Sequence, residues 1–384
     1  MSMFTVTDAA RQETVARVLQ KHHLTHMMIV NPGCGNWNQW LLGGEAPGNG
    51  PPNPAKLPTL APFNRNSGYI VSAEGDVYAF SAGVPHPTDS AQYPLFSAVR
   101  SRPAYEAGRI GLINPEYLRQ TTRQAMRDEV PAVEFVDLTA ELEAARAVKP
   151  AGEAEELRKA AAVYDRAFSA VKLTLRSGRS EHDAVADFRF RLASLGASTQ
   201  DLGLLTAVQL TSAPQNGKSV TGPLQHPGRI LQNGDRVNLC VNGYVPGGYA
   251  AALGRCCVAG EPTGQTRADW ALAVQAQHLA AGLARPGASI QQIAWQLHTQ
   301  LLEPAGMELE ARCWMYGIGA YRCEAPRSSD ATAAMPLQAG MVLAIGPAVC
   351  RPGEDAYCCM DVYQITETGG VRLSGTAQDL IILP

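Results

Sequence analysis

The sequence predicts two domains: an N-terminal α/β domain over residues 1–148 and a larger α+β domain over 149–384. Three observations carry that prediction. Strands alternate with helices up to about residue 145, the pattern of a layered α/β unit. Lys149-Pro-Ala-Gly152 then interrupts the periodicity as a linker. Beyond it, two helix pairs are interleaved with antiparallel strands, as in an α+β domain built from two similar halves. The 384 residues are enough for both cores.

Thr7-Asp8 is expected to cap an amphipathic helix over 9–22, and an apolar strand follows over 27–30. Residues 43–63 are dense in Pro and Gly and read as a long surface loop. Strands 68–72 and 76–80 flank Ala73-Glu-Gly75, a hairpin signature. Residues 109–113 read as a strand, 116–127 as a helix and 133–136 as a strand. After the linker, a helix over 153–176 carries Leu157, Ala160, Val163, Ala167 and Val171 on its apolar face. A second helix spans 181–195 and stops at Gly196. Strands 236–241 and 249–258 precede another helix pair, 266–284 and 290–302, split by Arg285-Pro-Gly-Ala288. Strands 341–345 and 361–366 come next, and the chain closes on DLIILP (379–384).

Composition bounds the function. With 46% hydrophobic and 17% charged residues and a net charge of −3, no charge excess points to nucleic acid or an anionic membrane as partner. No long apolar run and no charged-then-apolar leader appears, so a cytoplasmic protein is expected. The nine cysteines form no Cys-x-x-Cys pair. Without a secretion signal, most are expected to be small buried hydrophobes and not disulfide partners. No nucleophile elbow, phosphate-cradling glycine loop or zinc-type Cys/His cluster is present.

Several segments resemble the family of aminopeptidase P, prolidase and creatinase. VKPAGEAEELRKAA (148–161) is similar to that family's entry into its catalytic domain, and QNGD (232–235) to its Q-x-G-D. ARPGAS (284–289) matches its R-P-G-x-T/S turn, QAGMVLAI (338–345) its G-M-V-x-x-I, and DLIIL (379–383) its terminal strand. NLCVNGYVPGGYAAALGR (238–255) resembles its D-x-G-x-x-x-x-G-Y-x-x-D-x-x-R. The resemblance implies a C-terminal pita-bread domain behind an N-terminal α/β creatinase-like domain, a homodimer, and a small-molecule substrate.

It also implies two metal ions, and here the sequence departs from the pattern at each ligand. The two Asp positions hold Val241 and Ala252. Tyr316, in MYGIG (315–319), stands where the family has a His, Gly346 where it has the Glu of I-E-P, and Met360 where it has its last Glu. Valine and alanine offer a cation no lone pair, and these five positions cannot supply the several oxygen ligands and imidazole that two dications need, so the expected metal set is none and the expected cofactor none. Creatinase, a metal-independent hydrolase of this family, has G-Y-Y-T-A-L-E-R where this chain has GYAAALGR (248–255). The shell therefore implies a metal-free pocket for a small polar, amino-acid-derived compound, with C–N bond hydrolysis or a lyase or cyclisation step as its chemistry. A catalytically silent homologue that binds a ligand or protein, and a residual Xaa-Pro peptidase, are the alternatives.

The candidate catalytic residues are Cys323, Tyr316, Glu324 and His226. Cys323 replaces the His of the family's H-E-P-P and sits beside Arg322, a cation that favours thiolate; filler in an emptied site is the other reading. His226 is the base within reach of a shifted alignment, the ungapped one giving Pro223. Tyr316 can donate to an oxyanion or simply fill space. Glu324 keeps the family's Glu, in a catalytic or a stabilising role. Arg255, Arg322, Tyr249, Asp361, Trp37, Met360, Val241 and Ala252 complete the expected pocket. Elemental analysis of purified protein is expected to find no stoichiometric Mn, Co, Zn or Fe; about two ions per chain, the count of a two-metal site, would overturn the alignment.

Overall fold

The computed structural model describes residues 3–5, 9–30, 37–42, 67–81, 108–118, 120, 123–124, 127, 131–196, 207–215, 217, 228–245, 248–310 and 312–384. The chain divides into two compact units, Met1–Arg146 and Ala147–Pro384. Among the described residues no helix is long and apolar enough to cross a membrane.

In the first unit, six strands form one mixed sheet in the order β1-β4-β3-β2-β5-β6. They are β1 (Met3–Thr5), β2 (His26–Val30), β3 (Ser67–Ser72), β4 (Asp76–Ser81), β5 (Arg109–Ile113) and β6 (Glu134–Asp137). The β3–β4 hairpin closes through Gly75 at φ 90°, a left-handed backbone that glycine adopts without a steric penalty. Helix α1 (Ala9–Lys21) buries Val15, Val18 and Leu19 at helical spacing. The loop expected over 43–63 lies outside the described residues, as do Thr7-Asp8 and much of the helix expected over 116–127.

Two helices are additions to the sequence reading. The first, α2 (Trp37–Leu42), is flanked by glycines and has only six residues. Trp37, Trp40 and Leu41 nevertheless fall at i, i+3 and i+4, and all three are buried. The second, α3 (Thr139–Ala147), starts where the Asp137 carboxylate accepts the Thr139 N–H at 2.9 Å.

The second unit is built from two similar halves. In one, α4 (Ala151–Val171) and α5 (Glu181–Ser194) cover the sheet β18-β9-β8-β7, formed by β7 (Ala207–Pro214), β8 (Asp235–Tyr244), β9 (Ala250–Ala259) and β18 (Ile381–Leu383). Ser180 and Asp183 close a capping box at the start of α5. In the other half, α6 (Gly264–Leu283) and α7 (Ile290–Leu297, extended by one π turn) pack on the sheet β12-β11-β13-β16-β17. Its strands are β11 (Met315–Gly317), β12 (Glu324–Arg327), β13 (Val342–Ile345), β16 (Asp361–Thr366) and β17 (Gly369–Arg372). A small sheet of β10 (Glu308–Leu309), β14 (Ala348–Cys350) and β15 (Tyr357–Cys358) completes the unit.

The halves meet where Gly254 of β9 pairs with Met360 at the head of β16. A Cβ on Gly254 would lie 2.8 Å from both the Cys358 carbonyl oxygen and Met360 Cβ, so this close approach requires glycine. Next to it Arg255 and Asp361, both with fully buried side chains, form a 2.7 Å ion pair. Arg255 also donates to the carbonyls of Gly254, Met360, Thr376 and Ala377. Asp361 takes further donors from Gln277 and Gln378. Removing one member leaves the other charge buried without compensation. Asp361→Ala is therefore expected to lower unfolding stability by about 3–5 kcal/mol in urea titrations; a loss within experimental error would refute the seam's dependence on this pair.

Candidate functional site

The site-facing surface of β8 is set by strand alternation. Asn238, Cys240 and Asn242 share one face and are only partly buried, whereas Val237, Leu239 and Val241 point into the core beneath α4 and α5. Val241 is thus turned away from Ala252, whose cross-strand neighbour is Asn242. The pocket position expected for Val241 belongs to Asn242, a residue one step along the strand and on the opposite face.

Asn242 and Tyr316 form the centre. The Asn242 Nδ2 group donates to the Tyr316 hydroxyl at 2.8 Å and to the Arg322 carbonyl at 3.2 Å. The Tyr316 hydroxyl in turn points to Met360 Sδ, 3.6 Å away. Burial pushes the Tyr316 phenol well above its ordinary range, and neighbouring thiols add to the effect, so it stays a neutral donor at neutral pH. The oxygen Asn242 Oδ1 is buried and, among the described residues, accepts no hydrogen bond. Such an orphaned acceptor costs about 1–3 kcal/mol unless a ligand or water satisfies it.

Four thiols lie in or against the cluster around Tyr316, in two neighbouring couples, Cys313–Cys323 and Cys240–Cys358. In the first couple the Cys323 thiol and nearby Ser328 and Ser329 lower Cys313 to about 6, while the Cys313 thiol and burial push Cys323 up. The lowered member is thus Cys313, and not Cys323 as expected from sequence. Arg322 and Arg327 favour thiolate at Cys323 but are outweighed. The second couple behaves alike, with Cys240 lowered beside Cys358 and Cys358 raised.

Other expected site residues are engaged elsewhere. Glu324 is fully buried, paired with Lys149, and accepts the Tyr321 N–H at 3.0 Å; its side chain serves the packing of the unit. Arg255 and Asp361 are consumed by their ion pair. Tyr249 packs where the two cores adjoin, and Ala252 and Met360 line the cluster around Tyr316. Trp37 is fully buried within the first unit, where its indole N–H reaches Asn114 at 3.3 Å and the Arg146 guanidinium stacks 3.9 Å from the ring centroid. His226 lies outside the described residues. Half-buried Arg322 has no carboxylate partner among the described residues. Asn242 and Cys313 were not singled out from sequence; for Asn242 the available signal was strand parity.

The side chains present do not fit a pair of metal ions. A Cβ at Gly346 would come within 2.5 Å of Met360 Cβ, so Met360 already fills the space a longer side chain there would need. Among the described residues no group of three or more His, Cys, Asp or Glu is placed to hold a metal ion. The donors gathered at this place are thiols, a phenol and an amide.

Residues 155–377 match the metallopeptidase family M24, and the chain belongs to that family. It is 27% identical over 274 residues to the probable dipeptidase PepE of Mycobacterium tuberculosis, covering 68% of this chain and 70% of that protein. Among solved structures, the prolidase of Thermococcus sibiricus superposes with a TM-score of 0.75 at 18% identity, covering 99% of this chain and 100% of that one. The dipeptidase PepE of Mycobacterium ulcerans gives 0.74 at 23% identity over 98% of both chains. These likenesses establish the pita-bread fold with its N-terminal α/β domain.

The lowered thiol makes a direct prediction. Alkylation of Cys313 by iodoacetamide should be slow below pH 6, rise through a midpoint near 6, and level off above it, because only the thiolate attacks. Cys323→Ala removes the neighbouring thiol and should move that midpoint up toward about 8.5, the value of a free thiol. Peptide-resolved alkylation rates across pH measure both, and an unmoved midpoint would exclude Cys323 as the cause of the lowering.

Proposed function

We propose that this chain is a hydrolase of the M24 family that cleaves a C–N bond in a small amino-acid-derived substrate by thiol chemistry and without a metal pair. The observation that carries this reading is that Cys313 and Cys323 pack against the cluster of Ala252, Tyr316 and Met360, three positions at which the family has metal ligands, and the Cys313 thiol is lowered to about 6 there. The dipeptidase and prolidase names of its relatives support an amide-like scissile bond.

On this reading the Cys313 thiolate adds to the amide or amidine carbon, and the C–N bond breaks as Cys323, the couple's protonated partner, gives its proton to the leaving nitrogen. Water then hydrolyses the thioester, or thioimidate, and restores the thiol. Tyr316, held by the Asn242 amide, is the polar donor for charge developing on the carbonyl oxygen. The orphaned Asn242 Oδ1 suits a substrate N–H. Arg322 suits a carboxylate, which favours amino-acid and dipeptide derivatives over neutral amides.

One observation favours a second reading, a binding module without turnover: Met360 fills the space beside Gly346 where the family places a ligand side chain. A panel of dipeptides, including Xaa-Pro, with N-acyl and amidino amino acids separates the two. Turnover is expected to survive exhaustive chelation and to fall by at least about 10²-fold in Cys313→Ala. Loss of turnover on chelation would refute the thiol mechanism; binding of the same compounds with no product would establish the second reading.

A further inference from the structure

The geometry points to the guanidinium of Arg236 as the centre of a halide site, taking chloride in solution, that helps fasten the small sheet to β8. Strand alternation puts Arg236 on the face of β8 that carries Asn238, Cys240 and Asn242, at the far end of the strand from Asn242. Its side chain is fully buried, a position that arginine takes almost only when its charge and donors are met. One side of the guanidinium is covered by the Tyr357 ring of β15, 4.2 Å from centroid to carbon. Stacking engages the flat face of the cation and leaves its in-plane N–H bonds to find acceptors. Among the described residues they find none: Nε, Nη1 and Nη2 all lack a hydrogen-bond partner, and so does the Tyr357 hydroxyl.

The carboxylate paired with this cation does not supply the acceptors. Asp355 Oδ2 stays 3.9 Å from Nη2, close enough for attraction through space but too far for a hydrogen bond. Asn238 Oδ1, two residues along the strand, accepts nothing either, and its amide is turned to donate to the Ala356 carbonyl at 3.0 Å. What the place lacks is acceptor capacity at the edge of a buried cation. A halide matches that need, because a spherical anion takes several N–H and O–H donors at once and has no protons to place. A water bound there must also find acceptors for its own two protons. Burial of the whole side chain selects for size, admitting a monatomic ion before phosphate or an organic acid. Asp355, whose side chain is 21% exposed, marks the side from which the ion enters and competes with it for the cation.

The role of such an ion follows from what Arg236 touches. Tyr357 pairs with Val349 of β14, and Ala356 is held by Asn238 of β8. An ion on the guanidinium adds to the contacts that keep this segment on β8, so its binding free energy is added to the stability of the folded chain. Arg236 lies outside the cluster around Tyr316, and the inference stands apart from the hydrolytic reading. Its readouts are stability and halide binding, not turnover.

The test melts the full chain in rising sodium chloride, with sodium gluconate as the replacement salt at constant ionic strength. We expect Tm to rise by at least about 3 °C and to saturate, with bromide acting like chloride and sulfate failing to replace it. Crystals grown in bromide should show an anomalous peak beside the Arg236 guanidinium. Asp355→Asn, a change at a partly exposed residue, removes the competing carboxylate and should lower the half-saturating chloride concentration about 10-fold. A closed Arg236–Asp355 pair would instead give a weakened chain with no halide dependence. Arg236→Met should abolish both the halide dependence and the peak; if that variant does not fold, the wild-type bromide peak and the Asp355→Asn shift decide the matter. A Tm that follows ionic strength alone, water or the Asp355 carboxylate on the guanidinium where bromide is expected, or bromide bound at crystal concentration only would each overturn the proposal.

Discussion

The seam between β9 and β16 is the constraint on which the second unit depends. Two half-domains, each a helix pair on its own sheet, touch through the Gly254–Met360 backbone pairing and the buried Arg255–Asp361 ion pair. A guanidinium in an apolar seam is tolerable only with its donors satisfied, and here they are met by one carboxylate and four carbonyls. The close approach demands glycine on one strand, and that in turn admits the Met360 side chain into the centre. The chemistry of the site is therefore a consequence of how the halves are fastened.

Seen from that seam, the exchange of metal ligands for other groups is a coupled set of substitutions. Met360 requires Gly346, because any Cβ at 346 would clash with it. Tyr316 reaches Met360 with its hydroxyl and takes the Asn242 amide as donor. With charged ligands gone, burial no longer has to be offset by cations, and four thiols and a phenol suit the drier surroundings. Within each thiol couple the surroundings lower one member, Cys313 or Cys240, and raise the other.

What the sequence determined by itself was much of the scaffold, the long helices and most of the longer strands, though not the eight-residue β7, and the helix expected from Glu153 begins at Ala151, inside the expected linker. Periodicity and the caps at Ser180 and Ser289 mark helices because the local chain decides them. Short strands such as β11, β12, β14 and β15 escaped notice, since two to four residues carry too little pattern and gain their pairing from distant partners. Helix α2 hid between glycines, although its Trp37, Trp40 and Leu41 spacing was visible.

Only the tertiary structure decided which side chains meet. Residue 241 or 242 is a choice of strand face, which one step of register reverses. Glu324 and Asp361 look like free acids in a linear sequence, yet each is neutralised by a partner far along the chain, Lys149 and Arg255. Which of Cys313 and Cys323 has the lower proton affinity depends on the fold, which packs both against the Tyr316 cluster and sets the groups around each. Proton affinity is a property of surroundings, and surroundings are assembled by folding.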